Sequence, residues 1–115
     1  MSIPTVADAL AVVASLGIPC VQMHWDDPND VPPLPYALLM PESAHEQNTA
    51  DGPTVEYRGY DIQLYTKRRD VALEKAVTRA LRGAGIRTPI PDVARDPEGR
   101  VTISYFHTSL IEQEH

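Results

Sequence analysis

The chain has 115 residues, of which 43% are hydrophobic and 23% are charged, and this is typical of one domain with one core. The composition argues against disorder and against a membrane-spanning class. Ten Lys and Arg against sixteen Asp and Glu give a formal charge of −6, which argues against sequence-specific reading of DNA or RNA because proteins that bind phosphate backbones are normally basic.

The first predicted element is a helix that follows Thr5. Thr5 and Asp8 have the spacing of a capping box, in which each side chain accepts a hydrogen bond from the backbone N–H of the other residue. Gly17, followed by Ile18 and Pro19, ends the helix, because glycine adopts a left-handed backbone and proline blocks continuation. The apolar face of this helix consists of Val6, Ala9, Leu10, Val13 and Leu16.

Two short strands are predicted next, on either side of a proline-rich connection. Residues 21–25 alternate between apolar and polar, as in a strand with one buried face, and residues 36–40 form a nearly continuous apolar run. The prolines between them predict a stiff, irregular connection without a helix. The polar segment that follows, residues 42–53, is predicted to be an exposed loop.

A long strand is predicted over residues 54–66, and its apolar alternation changes phase. Val55 and Tyr57 share one parity, whereas the apolar residues from Tyr60 onward share the other. Gly59 lies at the switch, which predicts either a β-bulge or a tight turn at this glycine. The sequence leaves these two alternatives open.

The second helix is predicted to begin at Asp70, a good N-cap residue, and to end at Gly85 and Ile86. Glu74 is among the polar residues that are predicted to cover the exposed side of this helix. The apolar stripe on its other side consists of Leu73, Ala76, Val77, Ala80, Leu81 and Ala84.

A hairpin completes the chain. Residues 90–96 are predicted to form a strand, and residues 96–99 have the pattern of a type I turn. The strand that follows carries Val101, Ile103 and Tyr105 on one face. The whole order of elements predicts an α+β fold, with an antiparallel β-sheet of about four to five strands and two α-helices packed on one face.

Metal binding is not predicted. The acidic run at residues 26–30 does not fit a calcium loop, because each possible frame places Pro28 or Val31 at a position that needs a ligand or a glycine. The histidines lack the close spacing of zinc ligands. His24 and His107 instead fit ordinary positions on the faces of strands.

Catalysis is not predicted either. The sequence has no glycine-rich phosphate loop and no Gly-x-Ser-x-Gly turn. The single cysteine, Cys20, has no basic neighbour in the sequence, and this fits an unreactive thiol in a reducing cytoplasm. We therefore expect a binding protein without a cofactor. A small enzyme whose site is assembled only by the fold is an alternative.

A basic cluster, Lys67, Arg68 and Arg69, precedes the second helix. These side chains could contact a phosphate backbone or an acidic partner. A solvated turn is the favoured interpretation, because the chain as a whole is acidic.

Three tyrosines of the long strand, Tyr57, Tyr60 and Tyr65, cannot all face one core if the strand contains a bulge. At least one of them should then be exposed. Such a tyrosine could lie at a protein interface, where aromatic residues are enriched, or be partly buried at the sheet edge.

Several short segments of the chain form a recognisable series. They are Leu16-Gly17-Ile18-Pro19, Pro35-Tyr36-Ala37-Leu38-Leu39, Ala50-Asp51-Gly52, Tyr57-Arg58-x-Tyr60-Asp61-Ile62-Gln63-Leu64-Tyr65-Thr66 and Leu73-Glu74. This series resembles the small tail-terminator and tail-completion proteins of long-tailed bacteriophages and prophages. The Gln63-Leu64-Tyr65-Thr66 stretch is the most characteristic part, and residues 99–110 match the closing strand of that family more loosely.

The resemblance implies a structural role in the virion. Proteins of this family form a homo-oligomeric, commonly hexameric, ring at the head-proximal end of the tail, after assembly in the host cytoplasm. The ring caps the tail tube, stops polymerisation of the major tail tube protein and joins the tail to the head-side connector. DNA passes through it without sequence-specific binding, and the family has no catalytic residues to transfer.

Within such a ring we expect two contact regions. Sheet-edge residues around Trp25, Tyr57 and Tyr60 are predicted to contact the neighbouring subunit. The loop 42–53 is predicted to face the tube or the lumen. The loop residues assigned to this role are Glu42, His45, Glu46 and Asp51. The alternatives are another head–tail connector or head-completion protein and, from a different class, a small nucleic-acid-binding regulator that uses the basic cluster.

Overall fold

A computed structural model describes residues 4–25, 27–41, 57–96, 98 and 100–111, except for the side chains of Pro28, Tyr57, Arg58 and Ile111. The elements are α1 (Val6–Ser15), β1 (Cys20–Gln22), the short 3-10 helix η1 (Pro28–Asp30), β2 (Tyr36–Pro41), β3 (Tyr57–Thr66), α2 (Val71–Gly83), β4 (Asp92–Arg95) and β5 (Thr102–Ile111). The strands form a five-stranded sheet in the order β1-β2-β3-β5-β4, which confirms the predicted α+β class. No helix within these residues is long and apolar enough to cross a membrane.

The sheet is mixed, whereas the sequence predicted an antiparallel one. β1 runs parallel to β2, with Cys20 opposite Ala37, and the other neighbouring strands are antiparallel. The physical reason lies in the proline-rich connection between β1 and β2, which includes η1. A parallel pair needs a crossover of about a dozen residues in place of a tight hairpin turn, and this connection returns the chain to the starting end of β1.

The predicted bulge or turn at Gly59 is wrong. β3 pairs with β5 without a slip from Tyr57, opposite Ile111, to Thr66, opposite Thr102. A bulge would have set two residues of one strand against one residue of the other. The sequence predicts a phase switch only if all apolar residues of the strand face one core. A strand with apolar side chains on both faces needs no such switch.

The ends of α1 match the prediction. The Thr5 N–H donates to Asp8 Oδ2 at 2.9 Å, and the Asp8 N–H donates to Thr5 Oγ1 at 3.2 Å, as a capping box requires. Gly17 follows the helix with φ of 79°, the left-handed conformation that glycine adopts most readily. One predicted core residue, Leu16, is instead 36% exposed, because the helix ends before it.

α2 also begins and ends as predicted, but one of its polar side chains is placed differently. Asp70 Oδ1 accepts a hydrogen bond from the Leu73 N–H at 2.9 Å, and the Ile86 N–H donates to the Leu81 carbonyl at 2.9 Å. Glu74, predicted on the exposed side, is only 5% exposed. Arg69 Nε lies 3.4 Å from Glu74 Oε2, and a carboxylate in the first turn is also favoured by the helix dipole.

The core consists of side chains from both helices and from one face of the sheet. This is compatible with the predicted packing of both helices on one face. On β5 the buried parity begins at Thr102 and includes Phe106 and Leu110, so Ile103 and Tyr105 lie on the opposite face. Residues 97 and 99 of the predicted type I turn at 96–99 lie outside the residues that the structure describes. The core cluster consists of Val6, Ala9, Val13, Ile18, Ala37, Leu39, Tyr60, Ile62, Leu64, Val77, Leu81, Ile86, Phe106 and Leu110.

Candidate functional site

The strongest candidate site is the face of the sheet opposite the core, which we call the second face. Cross-strand pairing sets its side chains in three rows across β2, β3 and β5. All of them are half-buried, and most are apolar or aromatic. Aromatic side chains of this kind are enriched at protein–protein interfaces. The rows are Tyr36, Tyr65 and Ile103; Leu38, Gln63 and Tyr105; and Met40, Asp61 and His107.

Three aromatic rings are packed together at one end of the second face. The Tyr36 and Tyr65 rings are stacked, with centroids 5.1 Å apart, and Trp25 meets the Tyr36 ring edge-on at 6.2 Å. The Tyr65 hydroxyl donates to Gln63 Oε1 at 2.8 Å. Burial, and then the nearby Tyr36 and Tyr105, raise the pKa of Tyr65 above its usual value, so the hydroxyl remains a donor at neutral pH. These contacts hold the rings rigidly, as in the anchor residues of an interface.

Trp25 contributes a polar atom with no partner in the part of the chain that the structure describes. Its Nε1 is buried and has no hydrogen-bond acceptor there. A buried donor without an acceptor costs about 1–3 kcal/mol. The indole is therefore held by its ring packing on Tyr36 and not by its N–H group.

At the other end of the second face, His107 joins three strands. Its Nδ1 lies 2.5 Å from Asp61 Oδ1 on β3, and its Nε2 lies 2.8 Å from Asp92 Oδ2 on β4. A carboxylate only accepts hydrogen bonds, so both ring nitrogens donate when the ring carries a proton on each. The sequence suggested an ordinary strand-face histidine. The structure instead places it between two acidic side chains.

This arrangement does not resemble a metal site. The two nitrogens of His107 point away from each other, so the carboxylates of Asp61 and Asp92 lie on opposite sides of the ring and share no common point. Among the described residues, no group of three or more His, Cys, Asp or Glu could hold a metal ion. The His107 bridge is better understood as a hydrogen-bonded link between β3, β5 and β4.

Replacing His107 by phenylalanine is expected to lower the free energy of unfolding by about 1–2 kcal/mol, because the half-buried Asp61 carboxylate loses a hydrogen-bond donor. Asp92 is 79% exposed and should contribute little. The control, His107→Gln, keeps one donor group and should lose less. Urea unfolding of wild type and both variants at one pH would measure these losses, and a loss in His107→Gln as large as that in His107→Phe would contradict the bridge.

Cys20, at the start of β1, packs against the core. Burial raises the pKa of its thiol from 9.0 to about 11, so the thiol is protonated at neutral pH. This agrees with the unreactive cysteine that the sequence predicted.

We expect native Cys20 to react with a disulfide reagent about a hundredfold more slowly than in the urea-unfolded chain, since its thiolate fraction is lower by about that factor. The rate of colour release from an aromatic disulfide, in buffer and in urea, would measure the ratio. Equal rates would show that the thiol is not shielded.

The structure places the predicted interface residues in different environments. Trp25 is half-buried beside the second face, as its contact with Tyr36 shows. Tyr60 is 1% exposed and belongs to the core, so its ring cannot contact a neighbouring subunit. The Tyr57 side chain lies outside the described residues. So do the predicted loop residues Glu42, His45, Glu46 and Asp51.

Sequence reasoning missed the role of Tyr36, Ile103 and Tyr105 on the second face. A signal was present, since β5 has apolar residues at both parities: Ile103 and Tyr105 at one, and Phe106 and Leu110 at the other. Strands with apolar residues on both faces are buried on both. In this structure one of those faces is only half-buried.

No protein-family model matches this chain. A search of curated proteins likewise finds no match.

Proposed function

We propose that this chain is a tail-terminator subunit of a long-tailed bacteriophage. Copies of it associate into a ring, commonly hexameric in the family it resembles, at the head-proximal end of the tail tube. The ring stops polymerisation of the tube protein and joins the tail to the head-side connector. The protein acts by binding, without bond chemistry.

The second face is the observation that carries this proposal. Segments that resemble the tail-terminator family form β2 and β3, and these strands contribute Tyr36, Leu38 and Tyr65 to that face. A half-buried surface of rigid aromatic and aliphatic side chains suits contact with another protein chain. It supplies one of the two different surfaces that a head-to-tail ring requires.

The charge of the chain is consistent with a conduit for DNA. At −6 per subunit, a ring of such chains would repel phosphates, whereas clustered Lys and Arg would retain them. DNA could then slide through the ring. We therefore assign no sequence-specific contact with nucleic acid to this protein.

Infection with a phage that lacks this protein tests the proposal directly. We expect overlong tails without heads, because nothing stops the growing tube and nothing joins it to the connector. Negative-stain electron microscopy of the lysate would measure tail length and attachment. Tails of normal length joined to heads would overturn the proposal.

A capture experiment separates this role from that of a head-completion protein. Purified tails and purified heads would each be incubated with the tagged full-length chain. We expect capture by tails from a mutant that lacks the protein. Capture by heads alone would reassign the chain to the head-side connector, and strongly salt-dependent binding to free DNA would reassign it to a nucleic-acid-binding regulator.

A further inference from the structure

The net negative charge of this chain comes from two segments. Residues 42–56 contain four carboxylates, Glu42, Glu46, Asp51 and Glu56, with no Lys or Arg. Residues 112–115 contain two more carboxylates, again with no Lys or Arg. These two segments account for the whole formal charge of −6, and the rest of the chain has equal numbers of acidic and basic residues.

Both acidic segments leave the sheet at the same end. Pro41, the last residue of β2, lies opposite Tyr60, and Tyr57 lies opposite Ile111, the last residue of β5. The chain therefore enters residues 42–56 and residues 112–115 from one end of the strands. We call it the acidic end.

A basic depression lies at the opposite end. It has a volume of about 580 Å³ and is formed where β2 begins, β3 ends and α2 begins. Since β3 has ten residues and a strand rises about 3.3 Å per residue, the two ends are about 30 Å apart. The apolar part of its lining includes Leu34, Pro35 and Leu73, and the basic part is Lys67, Arg68 and Arg69.

Two of the three basic side chains in the depression form no ion pair with any residue that the structure describes. Arg69 is paired with Glu74, and the Asp70 carboxylate accepts the N-cap hydrogen bond of α2. Lys67 and Arg68 are exposed, and neither has an ion-pair partner among the residues that the structure describes. The depression therefore presents an unbalanced positive charge beside apolar side chains.

We propose that the basic depression of one subunit binds the acidic segment 42–56 of a second copy of this chain. The match is one of charge, because four carboxylates without a basic residue meet Lys67 and Arg68, which have no ion-pair partner among the described residues. Segment 42–56 joins the sheet at the end opposite to the depression. A contact between these two different surfaces that repeats from copy to copy is head-to-tail, and such contacts form a ring when the rotation closes. This inference rests on the proposed ring function, and it assigns segment 42–56 to the neighbouring subunit in place of the tube or lumen.

A labelled synthetic peptide of residues 41–57 tests the binding. We expect saturable binding to the full-length protein by fluorescence anisotropy, weakened by added salt because the contact is between exposed charges. A peptide with Gln or Asn at its four acidic positions should not bind. Absence of saturable binding by the acidic peptide would overturn the proposal.

Charge reversal in the depression supplies the matched comparison. The double variant Lys67→Glu with Arg68→Glu should bind the peptide at least roughly tenfold more weakly than wild type. The control, Lys75→Glu with Arg79→Glu, makes the same change in charge at two exposed positions of α2 and should change the affinity by less than about twofold. Equal weakening in both variants would show a general effect of net charge and would overturn the site.

Crosslinking distinguishes a second copy from the same chain. In a Cys20→Ala background, one full-length variant carries Glu46→Cys and another carries Arg68→Cys. Mixed with each other under mild oxidation, they should form a disulfide-linked dimer. A chain with both substitutions that forms only an internal crosslink would overturn binding between copies.

Failure of this inference can be told apart from failure of the proposed function. If removing the protein gives overlong tails but the Lys67→Glu, Arg68→Glu variant restores normal ones, the docking site is wrong and the terminator role stands. If removal leaves tails normal, the terminator role is wrong, whatever the peptide binds.

Discussion

The Tyr60→Ala variant is expected to lose about 3–5 kcal/mol of unfolding free energy, as buried aromatic residues do when truncated to alanine. The Tyr60 ring is 1% exposed and belongs to the same core cluster as Ile62 and Phe106. A domain of this size has a total stability of about 5–15 kcal/mol. Urea denaturation followed by far-ultraviolet circular dichroism would measure the loss.

Tyr105→Ala is the matched control for this prediction. Tyr105 lies on the neighbouring strand β5, but on the half-buried second face. Its truncation removes less buried area, so we expect a loss of less than about half that of Tyr60→Ala. Equal losses in the two variants would contradict the assignment of Tyr60 to the core and Tyr105 to the second face.

The distinction matters for any test of assembly. The sequence predicts Tyr60 as an interface residue, but a Tyr60→Ala chain has lost a large part of its stability. A failure of this variant to assemble would reflect that loss and would not identify a contact surface. Variants of the second face avoid this ambiguity, because their side chains can change without emptying the core.

The largest expected effect on function comes from Leu38→Arg. Leu38 lies in the middle row of the second face, between Val21 on β1 and Gln63 on β3. An arginine there would place a charge in the centre of the proposed contact, where an unpaired buried charge is strongly unfavourable. We expect association to weaken by about a hundredfold or more. Complementation of a phage that lacks the protein, with tail length measured by electron microscopy, would show overlong tails.

Ala11→Arg serves as the control for Leu38→Arg. Ala11 is exposed on α1, so the same charge is added away from the second face. This variant should restore normal tails, and both variants should keep a cooperative urea transition. If Leu38→Arg is folded and also restores normal tails, the second face is not the contact surface.

The helix ends were determined by the sequence alone. Thr5 and Asp8 form the capping box that their spacing predicted. Asp70 caps α2 as predicted, by accepting from the Leu73 N–H, and the predicted end at Gly85 and Ile86 is fixed by the bond from the Ile86 N–H to the Leu81 carbonyl. Each of these bonds joins residues only a few positions apart. Their geometry therefore depends on local backbone conformation and side-chain chemistry, which a short stretch of sequence contains.

Local sequence does not determine which face of the sheet each side chain occupies. Thr102 is buried while Ile103 is half-exposed, although hydrophobicity alone would favour the reverse. The choice is made by register: the pairing of β5 with β3 and β4 fixes which parity meets the core, and a shift by one residue would turn every side chain over.

The sequence by itself determined the α+β class, the helix boundaries and the excess of acidic over basic residues in 42–56 and 112–115, since these follow from local pattern and composition. Only the tertiary structure decided that β1 runs parallel to β2, that Tyr60 is buried and that His107 meets Asp61. The physical reason is that these features arise from contacts between segments far apart in the chain. The free energy of such contacts depends on how the strands pair, which no single segment specifies.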